Sequence, residues 1–268
     1  MINITFSTCW YILKSKFDLE VYKKWFSNFL GNVNNFYLVL YTNKESYKML
    51  KKYNKNPNIK IILVEFEEFY NYKYKDQFVK NHNNTVLKNM IDWKLNMLWS
   101  EKISFVKKTI ENKYFDTEYY GWCDIGYFRG RPNDISVDLI KTWPNPLKIS
   151  ELNKDKVHYA IINNNQEYMN FIIMMLRNRL GNGLPMHQLP QNQLSVAGGF
   201  FILTPNKIDW WFKEYDRTLS LYLSNNYVVK DDQMLIIDCI SQNVNEFELY
   251  TEEDEKYDNW FMFQRILI

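Results

Sequence analysis

The sequence has few cysteines, few glycines and no excess of either charge, and each shortage excludes a class of protein. Three cysteines (Cys9, Cys123 and Cys239) among 268 residues are too few and too scattered for a disulfide framework or a thiolate metal site. The 33 basic residues are balanced by 31 acidic ones, which leaves a net charge of +2. We therefore expect no nucleic-acid partner.

Long apolar runs are also missing. The longest, such as residues 171–176, are far shorter than the roughly 20 residues that span a bilayer. The N-terminus has neither the basic start nor the apolar middle of a secretory signal. We therefore expect a protein with no transmembrane segment that works in the reducing cytoplasm.

Apolar side chains are nevertheless abundant enough for a sizeable core. The chain is 46% hydrophobic and 18% aromatic, which excludes disorder as its main description. Its length fits a single domain over residues 1–268. The apolar C-terminal residues 259–263 are expected to pack on that core, and no pattern specifies an oligomeric state.

Predicted strands and helices alternate through the first part of the chain. Residues 2–10, 36–41 and 59–66 are rich in β-branched and aromatic side chains, which predicts strands. Residues 19–30 and 45–53 follow helical patterns. Strands joined by helices of this length predict an α/β fold with parallel strands in a Rossmann-type sheet flanked by helices.

Ligands of such sheets bind beyond the carboxyl ends of the strands, which places residues 7–10, with Thr8 among them, near any ligand. Ordinary strand ends are an equally good interpretation of these residues. No GxGxxG follows the first strand and no GxxxxGK[ST] occurs, so a dinucleotide-dependent oxidoreductase and a P-loop enzyme lose most of their support. Residues 85–112 are predicted to be helical.

Glycine is scarce, so its positions are informative. Five of the eight glycines flank two short segments, residues 120–131 and 196–203. Glycine is needed where the backbone adopts a positive φ or approaches another group closely. These two segments are the strongest candidates for a functional site.

In the first segment, Asp124 ends an apolar run and is followed by Gly126. A carboxylate in such a setting is costly to bury unless it is paired or bound to a metal ion. Mg²⁺ or Mn²⁺ often takes only one or two carboxylates and completes its shell with phosphate and water. Arg129 is a candidate contact for a phosphate or carboxylate. The alternative is that Asp124 caps the next turn and pairs with Arg129.

The second segment contains the Gly198-Gly199 pair at the start of an apolar run. Paired glycines permit close approach of a ligand, and a β-bulge is the structural alternative. A loop over residues 181–193 directly precedes the pair and contains His187, a candidate second ligand for metal or phosphate. A lone histidine is more often structural than a ligand.

Two adjacent acidic residues, Asp231 and Asp232, open an apolar helical pattern near the C-terminus. Such residues often cap a helix. Capping requires only one carboxylate, so the second favours a general base or a group that orients an acceptor hydroxyl.

The order and spacing of these motifs resemble the HtrL/YibB-like family over residues 2 to 265. This is a family of glycosyltransferases from bacteria and some large DNA viruses, similar to the GT-A nucleotide-diphospho-sugar transferases. The segments that carry the resemblance are 98–102 (LWSEK), 121–129 (GWCDIGYFR), 197–201 (AGGFF) and 231–233 (DDQ).

The resemblance implies a GT-A-like fold with a central mixed sheet. Residues 1–130 would form the nucleotide-sugar-binding half, and residues 131–268 the acceptor-binding half. Asp124 would match the family's D-x-D metal motif for Mn²⁺ or Mg²⁺, with Gly126 in place of the second carboxylate. Either Asp124 acts with a ligand elsewhere, such as His187 or a backbone carbonyl, or metal dependence is weak.

The resemblance also implies substrate contacts. Lys102, with Lys94 as a second candidate, would steady the diphosphate. Gly198 and Gly199 would lie against the donor sugar and the acceptor.

The acidic pair and the residue after it complete the predicted site. Asp231 and Asp232, followed by Gln233, match an acidic pair that faces the reaction centre in the family. The carboxylates would orient or deprotonate the acceptor hydroxyl.

The leading hypothesis is therefore a glycosyltransferase that moves a sugar from a nucleotide diphosphate, with UDP-sugars as the first choice, to a glycan or other hydroxyl acceptor. A glycan-binding protein without catalytic activity is the alternative, motivated by the missing second carboxylate. A nucleotidyltransferase is a weaker one, because no glycine-rich basic loop lies near the N-terminus.

Overall fold

A seven-stranded mixed sheet flanked by helices on both faces organises the protein, as expected for an α/β fold of the Rossmann type. The computed structural model describes residues 2–254 and 256–268. The strands are β1 (Ile4–Cys9), β2 (Tyr37–Thr42), β3 (Ile59–Leu63), β4 (Tyr119–Cys123), β5 (Val157–Ala160), β6 (Phe200–Leu203) and β7 (Phe247–Tyr250).

Helices of one to six turns connect and cover the strands, with short 3-10 helices between them. The helices in the described part of the chain are α1 (Leu19–Leu30), α2 (Lys44–Leu50), α3 (Lys75–His82), α4 (Trp93–Ser100), α5 (Lys102–Glu111), α6 (Val137–Ile140), α7 (Pro146–Ser150), α8 (Gln166–Arg177), α9 (Pro205–Ser224), α10 (Asp232–Gln242) and α11 (Phe263–Ile266).

The strand order across the sheet is β3-β2-β1-β4-β6-β5-β7. The first four strands in this order run parallel, as predicted for the N-terminal part of the chain. Strand β6 runs antiparallel to β4 and β5, while β7 is parallel to β5. Because β4 and β6 are antiparallel, the carboxyl end of β4 and the start of β6 lie at the same edge of the sheet.

Side chains alternate between two cores on opposite faces of the sheet. In β1, Phe6 belongs to the core covered by α1, α6, α7 and α11. Cys9 belongs to the core covered by α3, α4, α5 and α8–α10. The C-terminal residues Phe261, Met262 and Phe263 are buried in the first core, as expected.

The predicted helical stretch 85–112 is divided in the structure. Asp92 caps α4 by accepting a hydrogen bond from the Lys94 backbone N–H (2.8 Å). Glu101 separates α4 from α5, and its buried carboxylate accepts the backbone N–H groups of Tyr70 (2.8 Å) and Asn71 (3.0 Å). These bonds fix the backbone immediately before Lys102. Within the described residues, no helix combines the length and apolarity needed to cross a bilayer.

Candidate active site

A cleft of about 570 Å³ lies at the edge where β1 and β4 end, within the usual size range of small-molecule sites. This is the edge of the sheet that sequence reasoning selected. Aromatic rings form a large part of its wall, and such faces suit sugar rings and nucleobases. The rings are Trp10, Tyr11, Phe17, Tyr22, Trp25, Trp99, Trp122, Tyr127, Trp260 and Phe261.

Asp124 lies directly after β4 and lines this cleft with a partly exposed side chain. Its backbone N–H donates to the Gly199 carbonyl (2.9 Å), which extends the pairing of β4 with β6 by one residue. The Trp122 indole N–H donates to its Oδ1 (2.6 Å). Its ion-pair partner is Lys102 rather than Arg129, so the structure does not support the alternative pairing considered from the sequence.

Lys102 joins both acidic segments of the predicted site. It opens α5 and is only 6% exposed. Its Nζ lies 3.2 Å from Asp124 Oδ1 and 2.9 Å from Asp232 Oδ2, and donates to the Gly198 carbonyl at 2.9 Å. Burial alone would lower the pKa of Lys102, but the charges of Asp124 and Asp232 outweigh it, and the net shift is upward. The lysine is therefore held as an ammonium ion.

Asp231 and Asp232 begin α10 at the rim of the cleft and are only 8% and 4% exposed. Asp231 occupies the N-cap position, but its side chain makes no capping hydrogen bond. Its Oδ2 pairs with Lys230 Nζ (3.0 Å), while its Oδ1 has no hydrogen-bond partner in the described structure. Capping therefore does not explain the acidic pair, and one buried carboxylate oxygen is left for a ligand to satisfy.

Burial raises the pKa of Asp232 to about 7. The positive charge of Lys102 opposes this shift, and the negative charges of Asp231 and Asp124 add to it. A carboxylate that titrates near neutral pH is suited to accept a proton from a hydroxyl group.

The Gly198-Gly199 pair is required by the two carboxylates and not by a β-bulge. It forms a turn just before β6. A Cβ atom at Gly198 would lie 2.7 Å from Asp232 Oδ2, and one at Gly199 would lie 3.1 Å from Asp124 Oδ2. Any larger residue at position 198 would push Asp232 away from Lys102.

Arg129 lines the cleft between aromatic rings. Its guanidinium carbon lies 4.7 Å from the centroid of Trp25, 4.9 Å from Phe261 and 5.2 Å from Phe17. Its Nε donates to the Gly126 carbonyl (3.1 Å). Within residues 2–254 and 256–268, none of the ion pairs includes Arg129, so its two terminal nitrogens can take up a phosphate or carboxylate.

Lys16 is a second cation of the cleft, and sequence reasoning missed it. Its Nζ lies 5.5 Å from the centroid of Trp99, and it forms no ion pair within the described residues. Burial lowers its pKa, and the negative charge of Asp231 opposes that shift. The available signal was its place in the loop after β1, where sheets of this type bind ligands.

Two tryptophans, Trp99 and Trp260, were also missed as site residues. Both line the cleft, and neither stacks on another aromatic ring within the described residues. Trp99 lies in the predicted helical stretch, but Trp260 lies 136 residues beyond Asp124, and only the folded chain brings it to the cleft.

Several predicted residues lie outside the cleft. Thr8 is fully buried within β1, opposite Leu40 of β2. Lys94 directs its Nζ to within 5.2 Å of the Phe66 ring centroid and does not line the cleft. Gln233 does line it, beside the acidic pair.

His187 is exposed and is not among the residues that line the cleft. Its loop is fastened elsewhere, because the neighbouring Gln188 side chain accepts the Val228 N–H (2.8 Å) and the Pro185 carbonyl accepts the Tyr227 hydroxyl (2.8 Å). The structure therefore does not bring His187 together with Asp124, as a shared metal ion would need.

The structure does not bring together the two protein ligands expected from the resemblance, because His187 lies outside the cleft that Asp124 lines. Within residues 2–254 and 256–268, no three histidine, cysteine or acidic side chains converge in a way that could hold a metal ion. The two carboxylates that do converge, Asp124 and Asp232, already share the Lys102 ammonium.

Comparison with known proteins does not assign the chain to a family. No protein-family model matches it, and no curated protein does either. Any assignment of function therefore depends on the chemistry of the cleft.

Proposed function

We propose that this protein is a glycosyltransferase that moves a sugar from a nucleotide diphosphate to a hydroxyl acceptor. The single observation that carries the proposal is the pair of buried carboxylates, Asp231 and Asp232, at the rim of an aromatic cleft, where Asp231 Oδ1 has no hydrogen-bond partner within the described residues. The resemblance to the HtrL/YibB-like family and to GT-A transferases belongs to the same proposal.

Glycosyl transfer expels a nucleoside diphosphate, so the enzyme must neutralise the charge that develops on the leaving group. The sequence-based scheme gave this role to Lys102 and Arg129 beside Asp124, with Lys94 as a further candidate. Lys94 lies outside the cleft, and Lys102 is engaged by two carboxylates. Arg129 and Lys16, which form no ion pair within the described residues, are the cations best placed to contact the diphosphate.

The acceptor hydroxyl must be oriented and must lose its proton as the new glycosidic bond forms. Asp232, whose pKa is about 7, is the proposed base, and Asp231 Oδ1 is the proposed hydrogen-bond acceptor for the hydroxyl. The aromatic side chains of the cleft would hold the nucleobase and the sugar rings of the substrates by stacking.

The two predicted halves of the chain both contribute to this scheme. Lys16 and Arg129 belong to residues 1–130, and the acidic pair belongs to residues 131–268. The division into a donor half and an acceptor half remains part of the proposal. A cytoplasmic location does too, since a reducing compartment suits the three buried free thiols.

Donor binding is tested by thermal shift with UDP, GDP, ADP and their sugars. At a concentration about 100 times its Kd, a ligand that binds only the folded state adds about 2.7 kcal/mol of stability, which raises the melting temperature by several degrees. We expect this with at least one nucleotide. Lys16→Ala should reduce the shift, whereas Lys14→Ala should not, because Lys14 binds the Asn89 carbonyl away from the cleft.

Failure of every nucleotide to shift the melting temperature would count against a donor site. Binding of glycans without binding of any nucleotide would identify the alternative, a glycan-binding protein. Release of pyrophosphate instead of a nucleoside diphosphate would identify a nucleotidyltransferase.

A further inference from the structure

We propose that the Lys102 ammonium occupies the cation position between Asp124 and Asp232, so that this centre works without a divalent metal ion. The inference concerns the charge balance of the candidate site. It rests on the proposed function only for the statement that donor binding needs no metal.

The first support is the geometry around the ammonium ion. An ammonium group has three N–H donors, and three oxygens surround Lys102 Nζ at 2.9 to 3.2 Å: Asp124 Oδ1, Asp232 Oδ2 and the Gly198 carbonyl. Carboxylate and carbonyl oxygens are also what Mg²⁺ and Mn²⁺ select. The two carboxylate oxygens that face each other across this centre, Asp124 Oδ1 and Asp232 Oδ2, are therefore already shared by a resident cation.

A metal ion between the same carboxylates would compete for the same space. Mg²⁺ binds oxygen at about 2.0–2.1 Å, so an ion bridging Asp124 and Asp232 would lie almost in contact with Nζ. The two cations would repel each other, and the repulsion is weakly screened on the side of the site where Lys102 and Asp232 are buried. Asp124 Oδ1 also accepts the Trp122 indole N–H, which further occupies the oxygen.

Lys102 is held where it is, and cannot readily leave to admit a metal ion. It is 6% exposed, and the preceding Glu101 is fixed by the backbone N–H groups of Tyr70 and Asn71. A lysine at the first position of a helix is unfavourable for the helix dipole, and the two carboxylates offset this.

The position where a second metal-binding carboxylate would lie has no room for a side chain. In a D-x-D arrangement this group would be at position 126. A Cβ atom at Gly126 would lie 2.6 and 2.8 Å from ring carbons of Trp25, so this position accepts no side chain without moving the tryptophan. The glycine is explained by packing of Trp25 on the backbone, and the ring in turn lies against Arg129.

Binding of MnCl₂ tests the proposal without any donor, with free Mn²⁺ measured by electron paramagnetic resonance. The wild type should bind Mn²⁺ at this centre no more tightly than about 1 mM. Lys102→Ala removes the resident cation and leaves two facing carboxylates. It should bind Mn²⁺ about tenfold more tightly or better, and the gain should be lost in Lys102→Ala combined with Asp124→Asn.

The matched control is Lys107→Ala. Lys107 lies on the same helix and also bridges two acidic residues, Asp209 and Glu111, but at the surface. Its removal should not increase Mn²⁺ affinity, so a gain confined to Lys102→Ala would not be a general effect of deleting a lysine.

Tight Mn²⁺ binding by the wild type that disappears in Asp124→Asn would overturn the proposal, as would a folded Lys102→Ala variant with no gain. If circular dichroism shows that Lys102→Ala is unfolded, the wild-type arm decides. The nucleotide-induced thermal shift should then be unchanged by EDTA, and its loss in EDTA would equally overturn the proposal. Mn²⁺ binding is measured without nucleotide. Its outcome therefore does not depend on whether the protein binds a nucleotide-sugar donor, and the two proposals can fail independently.

Discussion

Two buried ion pairs in this protein have similar members but different surroundings. Away from the cleft, Asp238 on α10 pairs with Arg179 and also accepts hydrogen bonds from the hydroxyls of Tyr222 (2.9 Å) and Ser241 (3.4 Å). Both of its carboxylate oxygens are satisfied. At the start of the same helix, Asp231 Oδ1 has no hydrogen-bond partner within the described residues, and Asp232 Oδ2 contacts the Lys102 ammonium at 2.9 Å.

The difference separates a structural charge from a candidate functional one. Buried polar atoms in folded proteins nearly always have partners, so a carboxylate oxygen that faces a cleft without a protein partner, such as Asp231 Oδ1, is a candidate ligand contact. The Lys102 ammonium balances the charge of Asp232 through a contact with its Oδ2. The same helix thus carries one acidic group that completes the core and another that is left open to the cleft.

The largest expected effect is on catalysis. Asp232→Asn removes the proposed base and should lower release of nucleoside diphosphate from the donor about 10²–10⁴-fold. The melting temperature should change little, because Lys102 keeps its contact with Asp124. Product release and thermal denaturation measure the two quantities, and an active Asp232→Asn enzyme would remove Asp232 from the mechanism.

The opposite outcome is expected at Asp238. Asp238→Ala leaves Arg179 partly buried without its partner and should destabilise the protein by about 3 kcal/mol. Activity per folded molecule should be retained. Urea unfolding gives the free energy of unfolding. If this free energy is unchanged, a buried carboxylate whose two oxygens both have hydrogen-bond partners does not have a structural role here.

The pH dependence sharpens the comparison. The groups facing Asp232 are Lys102, Asp231 and Asp124, and its pKa is about 7. Donor cleavage that needs the carboxylate should rise roughly tenfold per pH unit below 7 and level off above it. A flat profile between pH 5.5 and 8.5, measured by initial rates, would argue against this base.

The same shift has a consequence for stability. Because the folded state raises the pKa of Asp232 above its ordinary value of 3.8, the folded protein binds this proton more tightly than the unfolded chain. The stability of the wild type relative to Asp232→Asn should therefore fall as pH rises from about 4 to 7. Urea unfolding at several pH values measures the difference.

The smallest predicted effect concerns aromatic contacts. Trp260→Ala should weaken substrate binding by about 1–3 kcal/mol, because Trp260 lines the cleft without stacking on another ring in residues 2–254 and 256–268. Trp210→Ala is the control, since Trp210 packs on Trp211 and Phe247 instead. Calorimetric titration should show a loss for Trp260 alone. Equal losses in both variants would indicate a general packing effect.

Local patterns made part of this structure predictable. The apolar run before Asp124, which forms β4, the helix over residues 19–30 and the α/β alternation follow from patterns among neighbouring residues, and all are present. The edge of the sheet that holds the cleft also followed from strand direction. Strands β5 (VHYA) and β7 (FELY) were not identified, because each is four residues long and a polar residue interrupts its apolar run, whereas the equally short β6 (FFIL) is wholly apolar.

The site was less predictable, because its contacts join distant segments. Lys102 meets Gly198 and Asp232 only after β6 inserts antiparallel beside β4. The position of His187 depends on hydrogen bonds from residues 227–228, about 40 residues further along the chain. Residue types and spacing identified the acidic groups, but they did not reveal that a lysine would lie between them.

The most direct test of the central claim is a crystal structure with the nucleotide sugar that gives the largest thermal shift. The account predicts a diphosphate within hydrogen-bond distance of Arg129 or Lys16, with the sugar facing Asp232. A saturating ligand bound elsewhere, or with its diphosphate remote from both cations and its sugar turned away from Asp232, would contradict it.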